Sequence, residues 1–135
     1  MALTHVLDTD ICIEALRRRS EPLLRHLREH SPEAIAVSVI TEAELRFGAM
    51  NSSSPERNGA AADAFLQPFA ILPFTRDCVP IYARLRSDFE RAGMRIGALD
   101  MLIATQAVAL GATVVTNNLR EFRRVPGLRI ENWLV

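Results

Sequence analysis

Asp8, Glu44 and Asp100 stand in three separate segments, each where a strand should end or a helix should begin. In "HVLDTD" (5–10) an apolar run passes straight into Asp8 and Asp10. In "VITEAELRFGAM" Glu44 lies four residues after Ile40 and three before Phe47. A helical residue turns about 100°, so Glu44 falls inside the apolar stripe of Ile40, Ala43 and Phe47, and Glu42 points about half a turn away, toward solvent. A carboxylate within an apolar stripe is costly to bury unless it is paired or binds a cation. Asp100 opens "ALDMLIATQAVALG", with the small Ala104 and Ala107 one and two turns further on.

Each acid alone has an ordinary account. Asp8 suits the N-cap of the first helix. Asp100 suits a helix dipole, at about 0.3–1 kcal/mol. Glu44 could pair with Arg46 or Arg120. Brought together at one end of a sheet, the three would repel, and their pKa values would rise unless a cation neutralised them. Oxygen ligands without histidine or cysteine favour Mg²⁺ or Mn²⁺. His5, His26 and His30 show no ligand spacing, and His26 and His30, one turn apart on an arginine-rich helix, read as surface residues. Cys12 and Cys78 form no metal motif and read as reduced, buried thiols.

The elements that would position these acids alternate. "LTHVL" (3–7), "AIAVS" (34–38), "ATVVT" (112–116) and "LRIENWLV" (128–135) read as strands, with "AILPF" (70–74) extended. Helices are expected over 9–19, over 21–30 after Ser20 and Pro22, over 39–50, over 60–69, over 78–93 with Gly93 as its stop, and over 98–111. The last is apolar almost all round, so it should be central. "NSSSPERNG" (51–59) reads as the one clear loop. The alternation predicts a single α/β domain over residues 1–135, with a central, mainly parallel sheet flanked by helices. In such sheets functional groups collect at the carboxyl ends of the strands. Asp8, Ser38 and the run Thr116, Asn117, Asn118 occupy those ends.

Composition narrows the classes. The 135 residues include 16 basic ones, every one an arginine, against 16 acids. Setting aside Asp8, Asp10, Glu42, Glu44 and Asp100 leaves 11 acids and a balance of +5. A basic surface round an acidic pocket suits a polyanion, and arginine suits phosphate. No apolar run approaches the ~20 residues of a membrane span, and "MALTHVLDTD" lacks the features of a signal peptide. A cytoplasmic protein is expected.

"VLDTD", "SVITEAELRFGA", "IGALDMLIATQA" and "VVTNNLREFRRVPGLRIENW", in that order over residues 5 to 133, resemble the PIN-domain family, and more narrowly its VapC-type toxins from bacterial toxin–antitoxin pairs. The resemblance implies a small α/β nuclease with a Mg²⁺ or Mn²⁺ site. Its family acids match Asp8, Glu44 and Asp100. The fourth family position, commonly Asp, matches Asn118, an amide. Glu121, three residues on, is the candidate to supply the missing acid. Asp10 stands where the family commonly has Asn, either as a supporting charge or as a cap. Thr9, Ser38 and Thr116 would orient ligands, and arginines at 17–19 and Arg120 would grip phosphates.

The activity implied is metal-dependent endoribonuclease cleavage of RNA, tRNA above all. The partners implied are a VapB-type antitoxin, whose C-terminal segment lies in a groove between the early helices, and a second copy, through apolar positions at 81–92. Two rivals stand beside this: a PIN nuclease acting on rRNA, mRNA or DNA, and a degenerate PIN fold, short of its fourth acid, that binds without cutting.

Overall fold

A computed structural model describes residues 2–135. Five short strands, β1 (His5–Leu7), β2 (Ile35–Ser38), β3 (Ala70–Leu72), β4 (Thr113–Val115) and β5 (Ile130–Glu131), form one sheet in the order β3-β2-β1-β4-β5. All four pairings are parallel, with Leu7 level with Val37 on one side and Val115 on the other. Parallel neighbours need long crossovers, and seven helices supply them. These are α1 (Thr9–Arg17), α2 (Glu21–Glu29), α3 (Val39–Met50), α4 (Pro55–Leu66), α5 (Cys78–Arg91), α6 (Ala98–Leu110) and α7 (Leu119–Phe122).

Side chains alternate across a strand, so each strand feeds two cores. Val6, Ala36 and Val114 face α5 and α6, where Leu85, Phe89, Ile103, Ala104 and Ala107 close the layer. Leu7, Val37 and Val115 face the opposite layer with Ile11, Leu23, Leu45 and Leu66. A sheet buried on both faces reads as continuous apolar runs rather than alternation. The expected α/β domain with a parallel sheet is what the chain forms, and α6, apolar nearly all round, is central as its composition requires.

Three boundaries differ from those expected, and one short helix is unexpected. The stretch 51–59 is not all loop, because α4 starts at Pro55. Proline fits the first turn of a helix, where its missing N–H would have no partner anyway, so Ser54 and Pro55 signal a helix start. Only Ile130–Glu131 of 128–135 pairs as strand. The first strand is three residues, not five. The short α7 has too few residues to show a helical period.

The buried face of α3 is Thr41, Leu45 and Ala49, not Ile40, Ala43 and Phe47. Ala43 is exposed, and Phe47 is 68% exposed. An apolar stripe can lie on a surface as readily as in a core, and periodicity alone does not separate the two. His26 and His30 are half-buried against Trp133 rather than on the surface.

Candidate active site

Between β1 and β4 the chain turns to opposite sides of the sheet, which opens a crevice at the carboxyl ends of these two strands. Asp8 follows β1 and Thr116 follows β4. The Asp8 N–H donates to the Val115 carbonyl at 2.9 Å, and the Thr116 hydroxyl donates to Asp8 Oδ2 at 2.8 Å. Asp8 Oδ1 accepts from the Thr9 N–H at 2.7 Å, so Asp8 also caps α1. It is 3% exposed. Burial, then the charge of Asp10 and further that of Asp100, push its carboxyl up to about 8, against a smaller downward effect of the Thr116 hydrogen bond.

Asp10 lies in the first turn of α1. Its Oδ2 accepts from the Asn117 N–H at 3.2 Å, and its Oδ1 is sealed from solvent with no partner. Asp8 caps the helix, so Asp10 is not the cap.

Glu44 enters from α3. Its Oε1 accepts from the Thr9 hydroxyl at 2.8 Å, and Thr9 Oγ1 also lies 3.0 Å from Thr41 Oγ1. It forms no ion pair with Arg46, which instead meets Asp63 at 2.6 Å. It shares the face of Ile40, Ala43 and Phe47, as expected, but that face lines an open cleft rather than the core.

Asp100 is in the first turn of α6. Burial, a hydrogen bond shared with Glu121 and the charges of Glu121 and Glu44 push its carboxyl up to about 7. Burial also acts upward on Glu121, but the Asp100 hydrogen bond, the Gly97 N–H and the Asn118 amide outweigh it and hold Glu121 below its usual value. Asn118 Nδ2 donates to Glu121 Oε2 at 2.8 Å and to Asp100 Oδ2 at 3.3 Å. Its N–H donates to Thr116 Oγ1 at 2.9 Å. A hydrogen-bonded run thus passes from Asp8 through Thr116 and Asn118 to Asp100 and Glu121.

The five acids reach the crevice from β1, α1, α3, α6 and α7. Ser38 does not join them: its hydroxyl caps α3 at Ile40 and donates to Gln106, which holds the Leu72 carbonyl. Arg17 and Arg19 turn to Glu14, each at 3.2 Å. Nothing in the spacing singles out Arg95 and Arg124, which the fold brings beside Glu121.

As the side chains lie, among the described residues no three of histidine, cysteine, aspartate or glutamate stand close enough to enclose an ion. The donor chemistry nevertheless fits a hard divalent cation. Burial and neighbouring acids push the Asp8 and Asp100 carboxyls up, and the buried Asp10 Oδ1 has no hydrogen-bond partner.

A parallel α/β sheet with acids gathered at its switch point defines a class, and the family model for the PIN domain matches residues 5–128. The chain belongs to the PIN-domain family, whose nucleases are generally metal-dependent. It is 39% identical over 132 residues to Ribonuclease VapC2 of Rickettsia felis, covering 97% of this chain and 98% of that one. It is 37% identical over 134 residues to the tRNA(fMet)-specific endonuclease VapC of Salmonella typhimurium, covering 97% and 98%. The crystal structure of DNA-bound VapBC from Salmonella typhimurium superposes with a TM-score of 0.92 at 36% identity, over 97% of this chain and 98% of that chain.

Proposed function

We propose that this chain is a VapC-type endoribonuclease toxin that hydrolyses phosphodiester bonds of RNA, with tRNA as the substrate class. The observation that carries the reading is the meeting of Asp8 and Asp100, linked through Thr116 and Asn118, at the switch point of a PIN fold. Burial first, and then the charges of neighbouring acids, push their carboxyls to about 8 and about 7. Relatives alike over nearly the whole chain are named as ribonucleases, and two as tRNA(fMet)-specific endonucleases.

Asp8, Glu44 and Asp100 are the residues that would hold Mg²⁺, or Mn²⁺ in its place. When bound, such an ion polarises a phosphate oxygen and lowers the pKa of an attacking water. The chain's own groups prepare the place for it. Thr116 and the Thr9 N–H fix both oxygens of Asp8, and the Thr9 hydroxyl aims Glu44. Asn118 fills the fourth position as a donor that keeps Glu121 against Asp100. Glu121 supplies the acid that Asn118 lacks, and Asp10 adds a supporting charge from α1.

The protein partner in this reading is a VapB-type antitoxin. Solved relatives include VapBC complexes from Salmonella typhimurium and Rickettsia felis. Here Ile13, Phe47 and Leu99 line an exposed apolar cleft beside Glu44 that suits such a segment. Of the apolar positions at 81–92 expected to meet a second copy, Leu85 and Phe89 are buried and Ile81 and Tyr82 half-buried, so that stretch offers no open apolar face.

The test is cleavage of total bacterial RNA by wild type and Asp8→Asn, with Mg²⁺, with Mn²⁺ and with EDTA. A discrete, metal-dependent tRNA fragment absent from the variant is expected. Failure of the folded, antitoxin-free chain to cut would replace this reading with a PIN fold that binds without cleaving.

A further inference from the structure

The two flanks of the acid cluster differ in chemistry. Beside Glu44 the surface is apolar, with Ile13, Phe47 and Leu99 all more than a third exposed. Beyond Asn118 and Glu121 lies an open cleft of about 580 Å³ walled by Arg95, Arg120 and Arg124. It adjoins the acids directly, because Asn118 Nδ2 hydrogen-bonds both Glu121 in the cleft and Asp100 in the crevice.

Among the described residues, none of the three guanidinium groups stands in an ion pair within 4 Å, although Arg124's charge reaches Glu121. Arg17, Arg19, Arg28, Arg46 and Arg86 do stand in ion pairs with carboxylates. Arg124 is also held in place, since its Nη1 donates to the Arg95 carbonyl. Three arginines against the single carboxylate of Glu121 leave the cleft cationic. The cleft lies outside both cores, and a planar, permanently charged fork matches phosphate oxygens. A polyanion with its scissile phosphate over the acids gains charge pairing on this flank and none over Phe47 and Leu99.

We propose that Arg95, Arg120 and Arg124 form a phosphate-binding subsite for the nucleotides beside the scissile bond, so that RNA leaves the acids across α7 rather than along α1. The subsite takes backbone phosphate, and it positions RNA without reading bases. It rests on the ribonuclease reading and adds the direction of the strand.

The test measures binding apart from cleavage. In an Asp8→Asn background, end-labelled bulk tRNA is titrated by fluorescence anisotropy at several salt concentrations. Arg95→Gln, Arg120→Gln and Arg124→Gln are compared singly and together, with Arg28→Gln as the control and thermal melting to show that each folds. The triple variant should bind about tenfold more weakly or worse, and its log–log salt slope should flatten by about 0.7 for each phosphate that is no longer neutralised. With Asp8 restored, KM for RNA should rise far more than kcat falls. Unchanged affinity and slope in the triple variant would overturn the subsite, as would loss of antitoxin binding with RNA binding intact. Binding through these arginines without any cleavage by the chain that keeps Asp8 would leave the subsite standing and remove the nuclease reading. Absence of RNA binding altogether would remove both.

Discussion

Asn118 donates its side-chain amide to Glu121 Oε2 across 2.8 Å. The same nitrogen reaches Asp100 Oδ2 at 3.3 Å, so one amide bridges two carboxyls that would otherwise repel. An aspartate in its place could not donate while ionised, and it would bring a further negative charge. Asn118→Asp should therefore lower the melting temperature of the metal-free chain at pH 8 and tighten Mg²⁺ binding, both read by thermal melting with and without the ion. Asn118→Ala, which removes the bridge and adds no charge, should cut RNA cleavage by about tenfold, as loss of a group that orients ligands does. Full activity in Asn118→Ala would show that the bridge does not matter to the site.

The carboxyl of Asp8 makes the metal-free protein sensitive to alkali. Its folded value of about 8 stands above the ordinary 3.8 of an aspartate. Between those limits the folded chain holds a proton that the unfolded chain has released, so stability falls as pH rises through this window. Asp100, pushed to about 7, acts in the same direction. The melting temperature without metal should decline from pH 5 to pH 8. Asp8→Asn should flatten much of that decline and raise the pH 8 value by about 5 °C, while abolishing cleavage. A decline equally steep in Asp8→Asn would mean that the cluster is not its source.

The α/β order, the parallel sheet and the central α6 are readable in the sequence because each rests on a long apolar signal. Asp8 and Asp100 are readable too, since each sits at the junction of two such signals. Glu44 does share a face with Ile40, Ala43 and Phe47, and the four line one cleft, but that face is open rather than packed inward: Phe47 is mostly exposed. Sequence shows that a stripe is apolar but not what covers it. The arginines divide for a similar reason. Arg17 and Arg19 share Glu14, a local pairing across three and five residues, whereas Arg95 meets Arg124 only through the return of the chain after β4. The short α7, which carries Glu121, has too few residues to declare a period.

Glu44 and Glu42 are both half-buried, so the test between them rests on the contacts of Glu44 rather than on the helix face. Glu44 accepts from Thr9, the residue beside Asp8, and its charge helps raise the Asp100 carboxyl. Glu42 is two residues earlier on α3, about 200° round the axis. Glu44→Gln should reduce RNA cleavage by about 100-fold, on the scale of losing a group that holds or orients a ligand. Glu42→Gln should stay within about threefold of wild type. Equal losses in side-by-side kinetics would remove Glu44 from the site.

Trp133 reports on the remote side of the second core. It is 1% exposed and stacks on His30, with ring centroids 4.4 Å apart, and on His26 at 5.2 Å. Its Nε1 donates to Glu131 Oε1 at 2.9 Å, and His5 Nε2 lies 3.4 Å from the same oxygen. Burial holds His5 below the ordinary 6.5 of a histidine, aided by the nearby His30 and Arg129 and opposed by Glu131. The unfolded chain thus takes up a proton that folded His5 resists. The stability that neutral His5 contributes is complete above pH 6.5 and is lost as pH falls below it toward the folded value. The acid side should be read in the Asp8→Asn background, where the opposing trend of the carboxyls is reduced. There the melting temperature should drop, and Trp133 emission should shift to the red, as pH falls from 7 to 5. Glu131→Gln, which removes the one carboxylate that favours the His5 cation, should hold His5 neutral to lower pH while withdrawing a partner from Trp133. A Trp133 emission profile flat over that range in both variants would show that His5 does not titrate against the folded C-terminal segment.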